Sequence, residues 1–180
     1  MSKFTTKITS RLQKFIEAQK IFFVATAPNS GRINLSPKGM DSFRVMNENR
    51  VLWLNVTGSG NETAAHLSEN ERITIMFCSF EKVPNILRLY GKGKEIKPND
   101  EAWKEVVSLF PQTPGARQIF DITIESTQTS CGMSIPFFEF KSDRNDLNNW
   151  ATEQGEEKIK QYWEDRNQTS IDGLPTNIIE

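Results

Sequence analysis

Short β-type runs joined by hairpin-length polar turns set the strongest limit on what this chain can fold into. IFFVATA at 21–27 is β-branched and aromatic, Pro28-Asn29-Ser30-Gly31 is a turn, and Arg32 to Ser36 resumes the strand pattern. A second pair follows, with a strand over 40–46, the polar turn Asn47-Glu48-Asn49-Arg50, and VLWLNVT at 51–57. RITIMFCSF at 72–80, NILRLYGKGKEI at 85–96 and the alternating Ile119 to Ile124 bring the expectation to six or seven strands. Parallel neighbours need long crossovers, whereas these connections are mostly hairpin-sized. The pattern predicts an antiparallel barrel rather than a doubly wound sheet.

Helices flank that series. Ile8, Leu12, Phe15 and Ile16 recur at helical spacing behind Thr9 or Ser10 as a cap. NETAAHLSEN, from Asn61, predicts a short helix inside the strand series. Residues 99–110 predict another, capped by Asn99 or Asp100, with Trp103, Val106, Val107 and Phe110 as its apolar stripe. The stretch TSCGMSIPFFEF fits neither period. From Asp146 to Asp165 the chain is again helical, with Leu147, Trp150, Ile159 and Trp163 as buried candidates. The tail SIDGLPTNIIE is expected to be loose or extended on a partner surface. The whole reads as one domain over 1–180, mainly β with flanking helices, in which 141–180 form a C-terminal helix and tail.

Charge and composition remove several classes of function. The chain carries 22 basic and 23 acidic residues, a net −1, so no global basic field exists to gather nucleic acid or anionic lipid. The longest apolar run, Ile21 to Ala27, is too short to span a bilayer. MSKFTTKITSRLQKF contains no apolar segment of the kind that directs secretion, so the cytoplasm is the expected location. Cys78 and Cys131 are then expected to be free, buried thiols. A structural zinc site needs four Cys or His ligands, and His66 is the only histidine, so no metal site is expected. His66 follows Ala64-Ala65 in the predicted helix and is expected to be packed rather than catalytic. Neither a G-x-S-x-G elbow nor a G-x-G-x-x-G fingerprint is present, and Gly91-Lys92-Gly93-Lys94 lies within a strand.

One segment has the makings of an anion site. LNVTGSGNETAAHL, 54–67, runs strand, glycine loop, helix start. Glycines let backbone approach an anion, and first-turn amides point their N–H groups at it. Gly60, Asn61 and Thr63 suit that role, whereas Glu62 would repel a phosphate unless it turns away. A doubly charged phosphate needs cations from elsewhere, for which Lys38 and Arg88 are the candidates.

On these segments the sequence resembles the pyridoxamine 5′-phosphate oxidase-related, FMN-binding split-barrel superfamily. The likeness covers roughly residues 15–100, through IFFVATA, INLSPKG, VLWLN, GSGNETAAHL, RITIMF and RLYGKGKEI in order. It implies a six-stranded split barrel that forms a homodimer, with FMN sites between the subunits. In that family the ring system lies against the segment matching Asn34-Leu35-Ser36-Pro37-Lys38. The strand matching Trp53-Leu54-Asn55 gives backbone contacts, and Asn61-Glu62-Thr63 matches the phosphate-binding segment. Two departures stand out: Glu62-Thr63 replaces a frequent Arg-Lys, and residues 141–180 lack the tryptophan- and arginine-rich segment that grips pyridoxal phosphate in the oxidase proper. The resemblance therefore implies an FMN-dependent oxidoreductase on an unidentified small molecule rather than pyridoxamine phosphate oxidation. Two alternatives stay open: a flavin-binding carrier or redox-responsive module without turnover, and a pocket for another cofactor, a deazaflavin or heme.

Overall fold

The computed structural model describes residues 2–179. Its centre is one antiparallel sheet of eight strands: β1 (Lys3–Thr5), β2 (Phe22–Thr26), β3 (Asn34–Lys38), β4 (Phe43–Asn47), β5 (Arg50–Val56), β6 (Arg72–Cys78), β7 (Ile86–Ile96) and β8 (Ala116–Ser130). Four helices accompany it: α1 (Ser10–Ala18), α2 (Glu62–Asn70), α3 (Trp103–Val107) and α4 (Asp146–Arg166). The antiparallel, helix-flanked architecture is the one expected, but with eight strands rather than six. The eighth is β1, three exposed residues that pair with the far end of β8 and carry no apolar alternation to reveal them.

Hydrogen bonding links the strands in the order β3-β2-β6-β7-β8-β5-β4. The two edge strands, β3 and β4, are nevertheless joined by only residues 39–42. Six strand spacings would separate them by roughly 29 Å in a flat sheet. Five peptide steps reach at most about 18 Å. The sheet must therefore curl until its edges nearly meet. Phe43 of β4 packs 5.0 Å from Phe22 of β2 and 5.2 Å from Phe77 of β6, across the inside of that curl. The result is a barrel split along one side.

Alternation fills the barrel. Phe22 and Val24, Ile73, Ile75 and Phe77, Leu87 and Leu89, and Phe120, Ile122 and Ile124 share one cluster with Val51 and Trp53. Leu12 and Ile16 of α1 plug one end, their helix started by Thr9, whose hydroxyl accepts the Leu12 amide. The opposite face of β5 and β8 carries Leu52, Leu54 and Ile119 under Val106 and Phe110.

Several boundaries differ from the sequence reading. The helix expected over 99–110 is confined to Trp103–Val107, because the Asp100 carboxylate accepts the Lys97 amide and closes a turn first. Strand β8 is fifteen residues long, well beyond Ile119 to Ile124, since its second half is polar and carries no apolar alternation. In α4, Ala151 and Ile159 are buried, while Leu147, Trp150 and Trp163 are half-buried; Gly155, at φ 73°, kinks the helix. The tail is not loose. It folds back on its own chain, with Thr169 bridged to Pro175 and Ser170 and Thr176 buried. Cys78 is buried, as expected, but Cys131 is exposed. No helix is long and apolar enough to cross a membrane among the described residues.

Candidate functional site

The split opens into a cleft of about 800 Å³ between β3, the 39–42 turn, β5, the N-terminus of α2 and the C-terminal tail. That volume is within the range of small-molecule and cofactor sites. Of the residues singled out from sequence, Asn34, Ser36, Pro37 and Lys38 line it from β3. Trp53, Leu54 and Asn55 line it from β5, and Gly60, Asn61, Glu62 and Thr63 from the glycine loop and α2. Leu35 and Arg88 do not line it. Leu35 points out from β3 and is 63% exposed, and Arg88 donates to the Ser130 hydroxyl (3.2 Å) on the outward side of β7.

The cation that does line the cleft near the glycine loop is Arg117, which sequence reasoning passed over. Its placement has a local cause. Asn55 pairs with Gln118 and Val56 with Ala116, so Arg117 is the extra residue of a β-bulge in β8. Bulges re-aim a side chain that would otherwise follow the pleat. The Arg117 guanidinium is almost fully buried. Its Nη1 donates to the Gly60 carbonyl (3.0 Å) and to Asn167 Oδ1 (2.7 Å), and its Nη2 reaches Asn55 Oδ1 at 3.5 Å. Its Nε–H has no partner among the described residues. Burial lowers its pKa to about 10, an effect that Tyr162 and Glu95 only partly offset.

Lys38 reaches the same cleft from β3, with Nζ 5.2 Å from the Trp53 ring centroid. Burial, and then repulsion from Arg117, lower its pKa to about 8. Neither cation forms an ion pair among the described residues. Lys38 and Arg117 share a cavity whose acidic lining residue, Glu62, pairs with neither.

Glu62 stays in the cleft wall, where its carboxylate accepts the Ile171 amide (3.0 and 3.2 Å) and is held against the tail. Asn61 stands at the N-cap of α2 but does not cap it. Its Oδ1 accepts from Asn55 Nδ2 (3.2 Å), while its own buried Nδ2 finds no partner. Thr63 Oγ1 accepts from Asn34 Nδ2 at 3.4 Å. The first amides of a helix have no intrahelical acceptor. Together these groups form a cradle rich in donors and positive charge, poor in acceptors.

His66 is packed rather than part of the cleft. Its Nδ1 shares a hydrogen with the Thr26 hydroxyl (3.0 Å), and its Nε2 is buried 3.9 Å from Glu62. The tail also contributes Arg166, Thr169, Ser170 and Ile171 to the cleft wall. Asp172 anchors that wall to the β2–β3 turn by accepting the Arg32 amide (2.7 Å) and pairing with its guanidinium.

A split antiparallel barrel with a cleft along its seam lined by hydrogen-bond donors and basic side chains is the class these features define. The chain belongs to the pyridoxamine 5′-phosphate oxidase family, whose model matches residues 8–131. It is 35% identical to the pyridoxamine 5′-phosphate oxidase family protein ustO of Aspergillus flavus, over 97% of this chain and 78% of that one. Among solved structures it is similar to HupZ of Group A Streptococcus, with 22% identity, a TM-score of 0.53, and coverage of 66% of this chain and 90% of that one. It is also similar to a FAD-binding protein from Mesorhizobium loti, with 14% identity, a TM-score of 0.50, and coverage of 72% and 99%. These two structures share the fold.

Proposed function

We propose that the cleft binds FMN and that the protein is a flavin-dependent oxidoreductase acting on a small molecule. The observation that carries this reading is the donor set: Lys38 and Arg117 face one cleft with no carboxylate paired to either, and Arg117 Nε and Asn61 Nδ2 are buried without acceptors among the described residues. Orphaned buried donors are costly, and a ligand that accepts from them removes the cost. A phosphate is such a ligand. Arg117, Asn61, Thr63 and the amides after Gly60 would hold it, while Lys38, Trp53 and the β3 backbone would flank the ring system. The FAD-binding neighbour of the same fold agrees with a flavin.

A bound flavin supplies the two-electron redox chemistry; the chain supplies binding, orientation and electrostatics. Lys38 holds positive charge beside the proposed ring position, and being half-buried it does so with little screening from water. Such a charge favours the more negative, reduced form of the ligand.

The reading extends to a homodimer in the cytoplasm. Leu35, Phe23, Met76 and Arg88 lie on the outward face of β3, β2, β6 and β7, and a second copy seated there would cover them. Sedimentation velocity at micromolar concentration is expected to report a dimer; a flavin-loaded monomer refutes the shared site. The test of the function itself is an absorbance spectrum of the purified protein, followed by FMN titration. Flavin bands, and their bleaching by a nicotinamide nucleotide with return on adding an acceptor, support an oxidoreductase. A colourless protein that leaves FMN fluorescence unquenched overturns the proposal.

A further inference from the structure

The family model stops at residue 131, yet the anion cradle does not. Asn167, the residue that ends α4, is fully buried and touches both halves of it. Its Oδ1 accepts from Arg117 Nη1 at 2.7 Å, and its Nδ2 donates to the Gly58 carbonyl at 3.1 Å. Its own carbonyl accepts the Thr176 hydroxyl, which locks the residue between helix and tail. Four residues further on, the Ile171 amide occupies the Glu62 carboxylate. The C-terminal segment thus fixes the cation, holds the glycine loop, and restrains the one acidic side chain at the cradle's mouth.

We propose that Asn167 is the positioning residue of the phosphate cradle, and that the segment from Asn167 to Ile171 restores anion binding that α2 lacks. The chemical reason lies in the sequence of α2, where Glu62-Thr63 brings a negative charge and no cation. Positive charge has to come from β8, and a buried guanidinium on a bulge has several orientations unless something holds it. A neutral amide holds it without neutralising it. An aspartate in the same place would hold it equally well and cancel its charge. The identity of the ligand rests on the flavin reading; the positioning of Arg117 by Asn167 does not.

That contrast supplies the experiment. In the full-length chain, Asn167→Ser, which releases Arg117, and Asn167→Asp, which keeps it in place but cancels its charge, are each compared with wild type for binding of FMN and of riboflavin, which lacks the phosphate, with thermal melts of all three proteins. The expected result is FMN affinity weakened about tenfold or more, the worth of one charge-assisted contact. Riboflavin affinity stays within about twofold in both variants, and both melt lower than wild type, since each loses the donor to the Gly58 carbonyl. Equal losses for FMN and riboflavin, or no loss for either, overturn the proposal. If Asn167→Asp does not fold, Asn167→Ser is read by the same FMN-to-riboflavin ratio. Should wild type bind neither flavin, the functional reading fails by itself. The positioning claim is then judged with inorganic phosphate, which must raise the melting temperature of wild type and not of Asn167→Ser; equal shifts refute it.

Discussion

Lys38 is poised to take up a proton when an anion enters the cleft. Burial, then Arg117, bring its pKa from 10.5 to about 8 in the ligand-free chain. A shift of that size corresponds to about 3 kcal/mol held against the charged form. A bound phosphoryl group opposes both causes, since it neutralises the Arg117 field and gives the ammonium a counter-charge. At pH 7 a group titrating near 8 is roughly 90% protonated, and at pH 9 roughly 10%. If binding returns Lys38 to its ordinary value, the apparent Kd for FMN weakens roughly tenfold between pH 7 and pH 9. A phosphomonoester loses its second proton near pH 6, so the ligand's phosphate hardly titrates across this window. Fluorescence titrations from pH 6.5 to 9.5 measure the slope, and calorimetry in two buffers of different ionisation enthalpy measures the proton taken up. Lys38→Met should flatten both. The free protein has the opposite dependence. The unfolded chain keeps this proton up to about pH 10.5 while the folded one has released it, so the Lys38 contribution to ligand-free stability rises between pH 8 and 10.5. A wild-type Kd that does not change from pH 7 to 9, or a slope that survives in Lys38→Met, refutes the idea that Lys38 faces the ligand's charge.

Three further outcomes are expected. Arg117→Met should raise the Kd for FMN by about tenfold to a hundredfold, the range for hydrogen bonds from a charged donor, while leaving thermal stability within about 2 kcal/mol; undiminished FMN binding in equilibrium dialysis removes Arg117 from the cradle. Glu62→Gln keeps an oxygen for the Ile171 amide but deletes a charge at the mouth of the site, so FMN affinity should rise a few fold at low salt, with the gain fading at high salt; titrations at two ionic strengths check this. Gly91→Ala should cost at least about 3 kcal/mol in urea denaturation, because an added Cβ would stand 2.1 Å from the Thr123 carbonyl oxygen across the β7–β8 bulge; a midpoint within error of wild type contradicts that packing.

Much of the fold was legible in the sequence because it rests on local signals. Strand-type runs located seven strands, and Pro28 to Gly31 and Asn47 to Arg50 located two hairpins, to within two or three residues except at the C-terminal end of β8, which runs six residues further. What local signals do not carry is pairing. Residues 125–130 are polar and show no strand alternation, but become strand because β7 and β1 supply hydrogen-bonding partners on either side. The curl of the sheet likewise follows from the order of the strands, which places β3 and β4 at opposite ends of one ladder with four residues between them. The Met40-Asp41 pair, both at positive φ, makes that link, held by Arg44 donating to the Asp41 carboxylate at 2.7 and 2.9 Å. Neither residue type announces a left-handed turn strongly enough to be read in advance.

The candidate site divides along the same line. Residues contiguous in sequence, such as Ser36 to Lys38 and Gly60 to Thr63, line one cleft because a single stretch of chain brings each group there. The partner cation was missed because Arg88 and Arg117 both sit in alternating strands, and only a register defect distinguishes them. In unbulged β8, Arg117 would share the side of Ile119 under α3; one extra residue between Gln118 and Ala116 directs it to Gly60 and Asn167 instead. Asn167 was harder still, as it lies 112 positions from Asn55, the other amide that meets Arg117. Yet the sequence held an indirect sign. A helix start bearing Glu62 makes a poor phosphate site alone, so an anion site there requires a distant cation and something to hold the acid aside. The Ile171 amide does the second and Arg117 the first, which makes the unfavourable residue in α2 and the folded-back tail two parts of one arrangement.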